Sequence, residues 1–286
     1  MTYCCGMLLR DGLVMLADTR TNAGLDNVSV FRKLRVFGKP GERVMGLASS
    51  GNLSVSQSVV STLNEGIKNP ETGEMENLLN APTMFQAAQL IGRAIRQVHI
   101  SEGRAPEAAD PGFNVSFLFG GEIAGDRLRL FMIYPEGNSI ECTVDTPYLQ
   151  IGEHKYGKPV LDRAITYSID LYTALKIGLI SVDSTMRSNL GVGMPLDVLV
   201  VRRGAFDADL DYRIGPSEPY FRDLRESWSR ALRAAQAAIP VPTYKTLLGR
   251  KLAPAILTDI DPEEAFAEAA PPSPQQAAGM PSVKSN

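Results

Sequence analysis

Thr2 is the first residue whose type and position would allow it to act as a catalytic nucleophile. The chain begins Met-Thr, and a small residue at position 2 permits the usual removal of Met1, which leaves a threonine with a hydroxyl and a free α-amine. That amine titrates at about 7.7–8.0, so near neutral pH it can take the proton of its own hydroxyl. This chemistry needs no histidine, and neither His99 nor His154 has partners at the spacing of a metal site or a triad. For the Met-Thr pair alone, the alternative is an ordinary N-terminus.

An acid and a lysine follow Thr2 at positions where they would assist its hydroxyl. Asp18 stands where a short apolar run ends, and Lys33 lies inside a strand pattern that spans residues 28–37. A lysine held near the nucleophile by an aspartate lowers the pKa of the hydroxyl and helps it lose its proton. The alternative for Lys33 is a solvated side chain on an edge strand.

Composition and charge narrow the classes of protein to consider. Of the 286 residues, 44% are hydrophobic and 21% are charged, which is ordinary for a soluble globular protein. A net charge of -3 argues against a nucleic-acid binder, which usually carries a basic surface. The longest apolar runs, such as residues 196–201, are too short to cross a membrane. Three cysteines make no disulfide framework, and the N-terminus has no signal-peptide pattern, so we expect a cytoplasmic location.

Hydrophobic periodicity and turn residues divide the chain into elements. Apolar runs bounded by turn residues predict strands at residues 3–9, 13–17, 28–37, 43–48, 114–119, 128–134, 140–144 and 196–202. Three- and four-residue steps predict helices at residues 52–67, 83–101, 155–177 and 182–189, and a last one after Ser217. This order fits an α+β fold in which two sheets pack face to face with helices outside, a four-layer αββα sandwich. Residues 1–240 would form this domain, 241–264 a C-terminal extension and 265–286 a disordered tail.

Several short stretches, taken together, resemble one family. They are residues 2–6 (TYCCG), 12–20 (GLVMLADTR), 32–33 (RK) and 46–51 (GLASSG). Their order is similar to that of the proteasome β-subunit family, and within it to the bacterial proteasome-like proteins called Anbu, which are related to the HslV peptidase. The runs 19–24 (TRTNAG) and 188–193 (SNLGVG) are also Anbu-like. The resemblance covers about residues 2–240 and implies the fold of N-terminal-nucleophile (Ntn) hydrolases.

The resemblance implies roles for four residues. Thr2 matches the nucleophile, Asp18 the acid that orients the lysine, and Lys33 the activating cation. The turn at Ser49 matches the loop whose backbone N–H stabilises the oxyanion, a task that suits donors fixed before the charge develops. Better-known proteasomes have glycine at this position, so the hydroxymethyl group of Ser49 is expected to narrow the pocket while the backbone donor stays.

A second group of positions departs from the better-known members. Glu153 stands where those relatives carry the serine that binds the terminal amine, and a carboxylate there would raise the pKa of the amine and weaken it as a base. Asp183 matches the second acid near the amine. The next serine of the family falls on either Ser184 or Met186, and the resemblance leaves both open.

The implied activity is that of a threonine-type hydrolase that cleaves peptide or other amide bonds through an acyl-enzyme on Thr2. The resemblance implies no metal or organic cofactor, and no nucleic-acid or membrane partner is expected. It implies self-assembly into a homo-oligomeric ring or an open helical turn, which arises when heterologous contacts do not close. Two alternatives remain, a small-molecule amidase on the same fold and a non-catalytic, ring-forming assembly protein.

Overall fold

The computed structural model describes residues 1–22, 28–102 and 114–241. The chain divides into two compact units, Met1–Glu218 and Pro219–Asn286. The first unit is a mixed α/β structure with two five-stranded antiparallel sheets and four helices. The second contributes one described helix. Of the extension predicted at 241–264, the residues from 242 onward lie outside the described residues, as does the predicted tail at 265–286.

The first sheet begins with the strand that follows Thr2. Strands are numbered along the chain, and the order across this sheet is β12–β1–β2–β13–β14. Their bounds are β1 Tyr3–Leu8, β2 Gly12–Asp18, β12 Tyr148–Gly152, β13 Leu196–Arg202 and β14 Leu210–Ile214. β1 and β2 are buried along their whole length, so they lie in the interior of the sheet as their continuous apolar runs predict.

The second sheet has the order β11–β10–β9–β6–β5. Its strands are β5 Leu34–Lys39, β6 Arg43–Gly51, β9 Val115–Ile123, β10 Arg129–Ile133 and β11 Ser139–Glu141. Two small hairpins stand apart from the sheets, one of β3 Arg20–Asn22 with β4 Val28–Val30 and one of β7 Ile67–Lys68 with β8 Met75–Glu76.

Most of the helices of the first unit pack on the two sheets, and one packs on another helix. The helices are α1 Leu53–Glu65, α2 Met84–Glu102, α3 Lys158–Ala164 and α4 Leu171–Ser188. α1 and α2 contact strands of the second sheet, whereas α4 contacts β1 and β2 of the first. α4 approaches β2 closely at Gly178, where a Cβ atom would lie only 2.4 Å from Leu16 Cδ1.

Among the described residues, one hydrophobic cluster joins the two sheets, and a second joins α1 and α2 to the second sheet. The first contains residues of both sheets, among them Cys4, Met15, Ala48, Leu118 and Leu199. The second contains residues of α1, α2 and the second sheet, among them Val59, Ile91, Phe117, Phe119 and Phe131. The two sheets therefore face each other across the first cluster, and the site described below lies at one end of it, beside Cys4.

The second unit is described by its helix, α5 Pro219–Ala238. The sequence predicts an apolar stripe along it from Phe221 to Ala235. Phe221 and Leu224 are buried, whereas Trp228 is half-buried and Leu232 is exposed. Within the described part of the chain, no helix has both the length and the apolar character needed to cross a bilayer.

The structure corrects three predicted elements. The predicted strand at residues 28–37 is two strands, β4 and β5, with a break at residues 31–33. The predicted helix at 155–177 is also wrong, because α3 ends at Ala164 and α4 begins at Leu171. Asp170 caps that second helix by accepting the backbone N–H groups of Tyr172 and Thr173. The short helix predicted at 182–189 is the end of α4, and the sequence did not predict β12 or β14.

Candidate active site

Thr2 is buried at the very start of β1, although chain ends are usually frayed. Its carbonyl oxygen accepts the backbone N–H of Glu153 at 2.6 Å, and the next residue, Tyr3, pairs with Gly152. Gly152 has φ of 83°, and a Cβ atom there would lie 2.2 Å from the Thr2 carbonyl oxygen. The end of β12 therefore holds Thr2 through backbone contacts that only a glycine at position 152 permits.

Lys33 reaches the same place from the break between β4 and β5. Its Nζ donates to Asp18 Oδ1 at 2.8 Å and to the Arg20 carbonyl oxygen at 2.6 Å. It also lies 3.5 Å from the carbonyl oxygen of Met1. The side chains of Lys33 and Asp18 are only 6% and 0% exposed, so the ion pair is almost completely removed from water.

Asp18 links this ion pair to the backbone on both sides of it. Its Oδ1 accepts the Tyr3 N–H at 2.9 Å and its Oδ2 accepts the Gly193 N–H at 3.3 Å. Burial raises the pKa of Asp18 above its ordinary value, while the Lys33 ammonium and the two N–H donors oppose that rise. The carboxylate thus fixes the direction of Lys33 and the start of β1 at once.

Met1 shows where the N-terminal peptide group lies. Its side chain is largely exposed, but its carbonyl oxygen faces Lys33 Nζ, and its Cβ lies where a Cβ on Gly191 would come within 2.6 Å. The nitrogen that becomes the α-amine of Thr2 when Met1 is removed belongs to this same peptide group. The structure thus brings Thr2, Asp18 and Lys33 together, and the roles that the resemblance implies for them stay predictions.

Ser49 lies on β6, next to the ion pair. Its backbone N–H donates to the carbonyl oxygen of Lys33 at 3.0 Å, and its own carbonyl oxygen accepts the Cys4 thiol at 3.6 Å. The N–H that the resemblance implies for the oxyanion is thus engaged within the protein. Its role as an oxyanion donor stays a prediction, and it requires this bond to be exchanged or shared.

Glu153 contacts Thr2 through its backbone, whereas its carboxylate has other partners. One carboxylate oxygen accepts the backbone N–H of Lys155 at 3.0 Å and the other accepts Asn189 Nδ2 at 2.9 Å. The Lys155 N–H and then the Asn189 amide hold the pKa of Glu153 below its ordinary value. The carboxylate is therefore ionised at neutral pH, and its effect on the Thr2 amine stays a prediction.

The remaining predicted residues lie on α4. Asp183 is completely buried and forms an ion pair with Arg187, one turn further on, at 3.1 Å. The Ser184 hydroxyl donates to the Ile180 carbonyl oxygen of its own helix at 2.9 Å, and Met186 is half-buried. The role of Asp183 near the amine stays a prediction, and the choice between Ser184 and Met186 stays open.

Sequence reasoning missed two side chains that anchor the site. The Tyr3 hydroxyl lies 2.6 Å from Ser181 Oγ, which in turn donates to the Gly157 carbonyl oxygen at 2.8 Å. Because the Ser181 proton goes to a carbonyl, Tyr3 must be the donor to Ser181. A tyrosine within a fully buried strand was the available signal, since a buried hydroxyl needs a partner. Nothing in the sequence pointed to Ser181 as that partner.

The chain is similar to several solved structures. Anbu (ancestral beta-subunit) from Yersinia bercovieri is 45% identical over 85% of this chain and 100% of its own, with a TM-score of 0.78. The Gly-1 mutant of Anbu from Hyphomicrobium sp. strain MC1 is 47% identical over the same shares, with a TM-score of 0.78. The helical assembly of the Anbu complex from Pseudomonas aeruginosa is 43% identical over 84% of this chain and 98% of its own, with a TM-score of 0.77.

The chain matches no family model and no curated protein. Its identity to the Anbu structures is nevertheless far above the level at which only the fold is shared, and it spans the whole length of two of them. Together with the convergence of Thr2, Asp18 and Lys33, these likenesses show that the chain belongs to the Anbu (ancestral beta-subunit) family.

Proposed function

We propose that this protein is an N-terminal-threonine hydrolase that cleaves peptide or other amide bonds through an acyl-enzyme on Thr2. The observation that carries the proposal is the position of Lys33 Nζ. This buried ammonium lies 2.8 Å from Asp18 Oδ1 and 3.5 Å from the carbonyl oxygen of the Met1–Thr2 peptide group. Once Met1 is removed, a cation, an α-amine and a hydroxyl share one small site.

The proposed reaction has two steps. In the first, Thr2 Oγ bonds to the substrate carbonyl carbon while its proton passes to the Thr2 α-amine, directly or through a water molecule. The amine then gives the proton to the leaving nitrogen as the carbon–nitrogen bond breaks, which leaves an ester on Thr2. In the second step, water attacks the ester carbon, the amine again transfers the proton, and the acid product leaves with Thr2 restored.

The other residues have supporting roles in this proposal. Lys33 stabilises the developing alkoxide of Thr2, and Asp18 orients the ammonium. Ser49 is the proposed backbone donor to the oxyanion, after its bond to the Lys33 carbonyl is exchanged. Asp183 is the proposed second acid near the amine, and Glu153 is proposed to raise the pKa of the amine.

The proposal extends to the fold and the assembly. We propose that the two facing sheets with α1 and α2 on one side and α4 on the other form the four-layer αββα sandwich of Ntn hydrolases. The relative from Pseudomonas aeruginosa forms a helical assembly, which supports self-association of this chain into an open helical turn or a ring. Three free, buried cysteines suit the reducing cytoplasm that we propose as its location.

The test combines processing with active-site labelling. Intact mass of the purified protein should show a chain that begins at Thr2, and a peptide with an electrophilic carbonyl-type warhead should add one equivalent to Thr2. Thr2→Ala should lose the adduct, and Thr2→Ser should retain part of it. Thr146→Ala changes an exposed threonine in a remote turn and should react like the wild type. A functional protein that retains Met1, or equal labelling of Thr2→Ala, would reject the proposal.

One observation favours a second candidate, a non-catalytic assembly protein. The Ser49 N–H already donates to Lys33, so the oxyanion donor is closed in the isolated chain. If assembly is the only function, Thr2→Ala should assemble and replace the wild type fully in the cell. A Thr2→Ala protein that assembles normally but fails to replace the wild type would instead support the hydrolase.

A further inference from the structure

Asn189 is the residue directly after α4, and both the nitrogen and the oxygen of its side-chain amide form hydrogen bonds. Its Nδ2 donates to a carboxylate oxygen of Glu153 at 2.9 Å, and its Oδ1 accepts the Gly191 N–H at 2.9 Å. Its backbone N–H donates to the Thr185 carbonyl oxygen at 2.9 Å, which fixes the residue to the end of the helix. An amide suits this position because only a side chain with both a donor and an acceptor can make both contacts.

The two segments that Asn189 joins contact the Thr2 site at different points. In one segment, the backbone N–H of Glu153 holds the carbonyl oxygen of Thr2 at 2.6 Å. In the other, the N–H of Gly193 donates to the carboxylate of Asp18, a contact that does not involve Met1. A single side chain therefore ties the segment that holds the Thr2 backbone to the loop that holds the acid of the ion pair.

The loop has a second attachment, which shows how its position is defined. Arg20 Nη1 donates to the Leu190 carbonyl oxygen at 3.0 Å, and its guanidinium lies against Gly193, where a Cβ atom would come within 2.4 Å of Arg20 Cζ. Arg20 fixes the side of the loop next to Lys33. Asn189 fixes the side next to Glu153, and no other side-chain contact described between Glu153 and residues 189–193 duplicates it.

We infer that Asn189 is a positioning residue of the Thr2 centre, and this inference rests on the proposed function of Thr2. Asn189 does not touch the reacting atoms. It acts through Glu153 and Asp18, by holding the carbonyl of Thr2 and the Lys33–Asp18 pair at a fixed separation. Release of this contact loosens both segments, and small displacements of reacting groups lower a rate by up to about 100-fold.

A swap of hydrogen-bond polarity tests the contact. Asn189→Asp places two carboxylates face to face, which repel each other. In Glu153→Gln/Asn189→Asp, the new glutamine donates to the new aspartate and still accepts the Lys155 N–H, while the aspartate still accepts the Gly191 N–H. All the described side-chain hydrogen bonds of the pair are thus kept, and only the bond between residues 153 and 189 has the opposite polarity.

The measurement is the rate at which the electrophilic peptide labels Thr2. Its dependence on peptide concentration gives the maximal rate of acylation and the affinity for the peptide separately. Asn189→Asp should lower the maximal rate by about 10- to 100-fold and change the affinity by less than about twofold. Glu153→Gln alone should cost less, and the double variant should recover at least about tenfold over Asn189→Asp. Asn138→Asp makes the same change at an exposed, remote asparagine and should react like the wild type.

Denaturant unfolding of the wild type, Asn189→Asp, Glu153→Gln and the double variant separates failure of the positioning role from failure of the proposed function. A double variant no faster than Asn189→Asp, or an Asn189→Asp protein as fast as the wild type, would overturn the positioning role. If Asn189→Asp does not fold, Asn189→Ala replaces it as the single variant, and the same loss of maximal rate is expected. If the wild type itself is not acylated while the two substitutions still couple in unfolding, the proposed function has failed, and the Asn189–Glu153 contact is structural only.

Discussion

Asp18 and Glu153 both contact the Thr2–Tyr3 segment, but their carboxylates lie in different surroundings. Asp18 is completely buried, is paired with the buried Lys33 and accepts two backbone N–H groups. Glu153 is half-buried and is paired with the neutral amide of Asn189 and one backbone N–H. Charge interactions are strong where water is excluded and weak where it is not. The Asp18 side of the site therefore carries the electrostatics of the proposed reaction, whereas the Glu153 side sets its geometry.

Replacing Lys33 removes the buried ion pair with Asp18 and should have the largest effect on the rate of Thr2 acylation. In Lys33→Met we expect the rate of Thr2 acylation to fall by about 10²–10⁴-fold, because the cation that stabilises the alkoxide is gone. Lys33→Arg should also fail, since a planar guanidinium does not fit the place of a compact ammonium. Lys39→Met, at an exposed lysine, is the control. Labelling kinetics give the measurement, and near-normal rates in either Lys33 variant would reject the role.

The stability of Lys33→Met should depend on pH in a defined direction. Burial already raises the pKa of Asp18, and loss of the ammonium should raise it further above the unfolded value of about 3.9. A carboxyl group with a raised folded pKa destabilises the fold when ionised. The deficit in unfolding free energy, about 3–5 kcal/mol at pH 7, should therefore shrink as the pH falls toward 4.

A second substitution removes that buried charge. Lys33→Met/Asp18→Asn should regain much of the stability at pH 7 without regaining acylation. A deficit in Lys33→Met that grows on acidification would contradict the assignment of Asp18 as the unpaired buried group.

Changes at Tyr3 should have an intermediate effect on the free energy of unfolding, because its hydroxyl joins the Asp18 side of the site to Ser181 on α4. Tyr3→Phe removes the donor to Ser181 but leaves Ser181 bonded to Gly157, so we expect a cost of about 1 kcal/mol in unfolding free energy. Ser181→Ala removes both the Ser181 acceptor of the buried Tyr3 hydroxyl and the donor to the Gly157 carbonyl oxygen, so it should cost more, about 1–3 kcal/mol. Tyr172→Phe, at an exposed tyrosine, is the matched control. Thermal or denaturant unfolding of the three proteins decides, and equal costs for Tyr3→Phe and Ser181→Ala would be inconsistent with the donor assignment.

The contrast between the Asp18 side and the Glu153 side of the site also explains which parts of it the sequence could predict. The strands β1 and β2, and the ion pair between Asp18 and Lys33, were predictable because long apolar runs and a matching order of motifs lie close together in the chain. The break at residues 31–33 was not predictable from periodicity, since Phe31 and the residues around it continue a strand-like pattern. It is nevertheless this break that lets Lys33 Nζ reach Asp18, Arg20 and Met1 at once.

The Glu153 side depended on contacts between distant parts of the chain. β12, which delivers Glu153, is five residues long and contains Gln150, so its pattern is weak, and only pairing with β1 makes it a strand. Asn189 lies 36 residues from Glu153 in the sequence. The division of the predicted helix at 155–177 had a local signal, because Asp170 followed by Leu171 is a good helix start. No local pattern, however, connects the residue after α4 with the end of a strand.

Changes at Glu153 should have the smallest effect on the reaction, and the size of that effect tests the contrast between Asp18 and Glu153. The pKa of Glu153 is held below its ordinary value, so the carboxylate does not titrate between pH 6 and 9 and acts there as a constant charge. A negative charge near the Thr2 amine raises the pKa of the amine, so Glu153→Gln or Glu153→Ser should shift the rising limb of the pH–rate profile to lower pH. Because the carboxylate is half-buried and tied to Asn189 and Lys155, we expect a shift of less than about one pH unit.

The measurement is the pH dependence of cleavage of a short fluorogenic peptide by the three proteins, compared by the shape of each profile rather than its height. The charge and the shape of residue 153 separate here, since glutamine keeps the shape and serine does not. Equal shifts in both variants mean that the charge acts on the amine. A shift in Glu153→Ser alone means that a displaced backbone alters the amine, which would place Glu153 entirely on the geometric side of the site. Superimposable profiles would show that Asn189 and Lys155 hold the carboxylate too far from the amine to affect it.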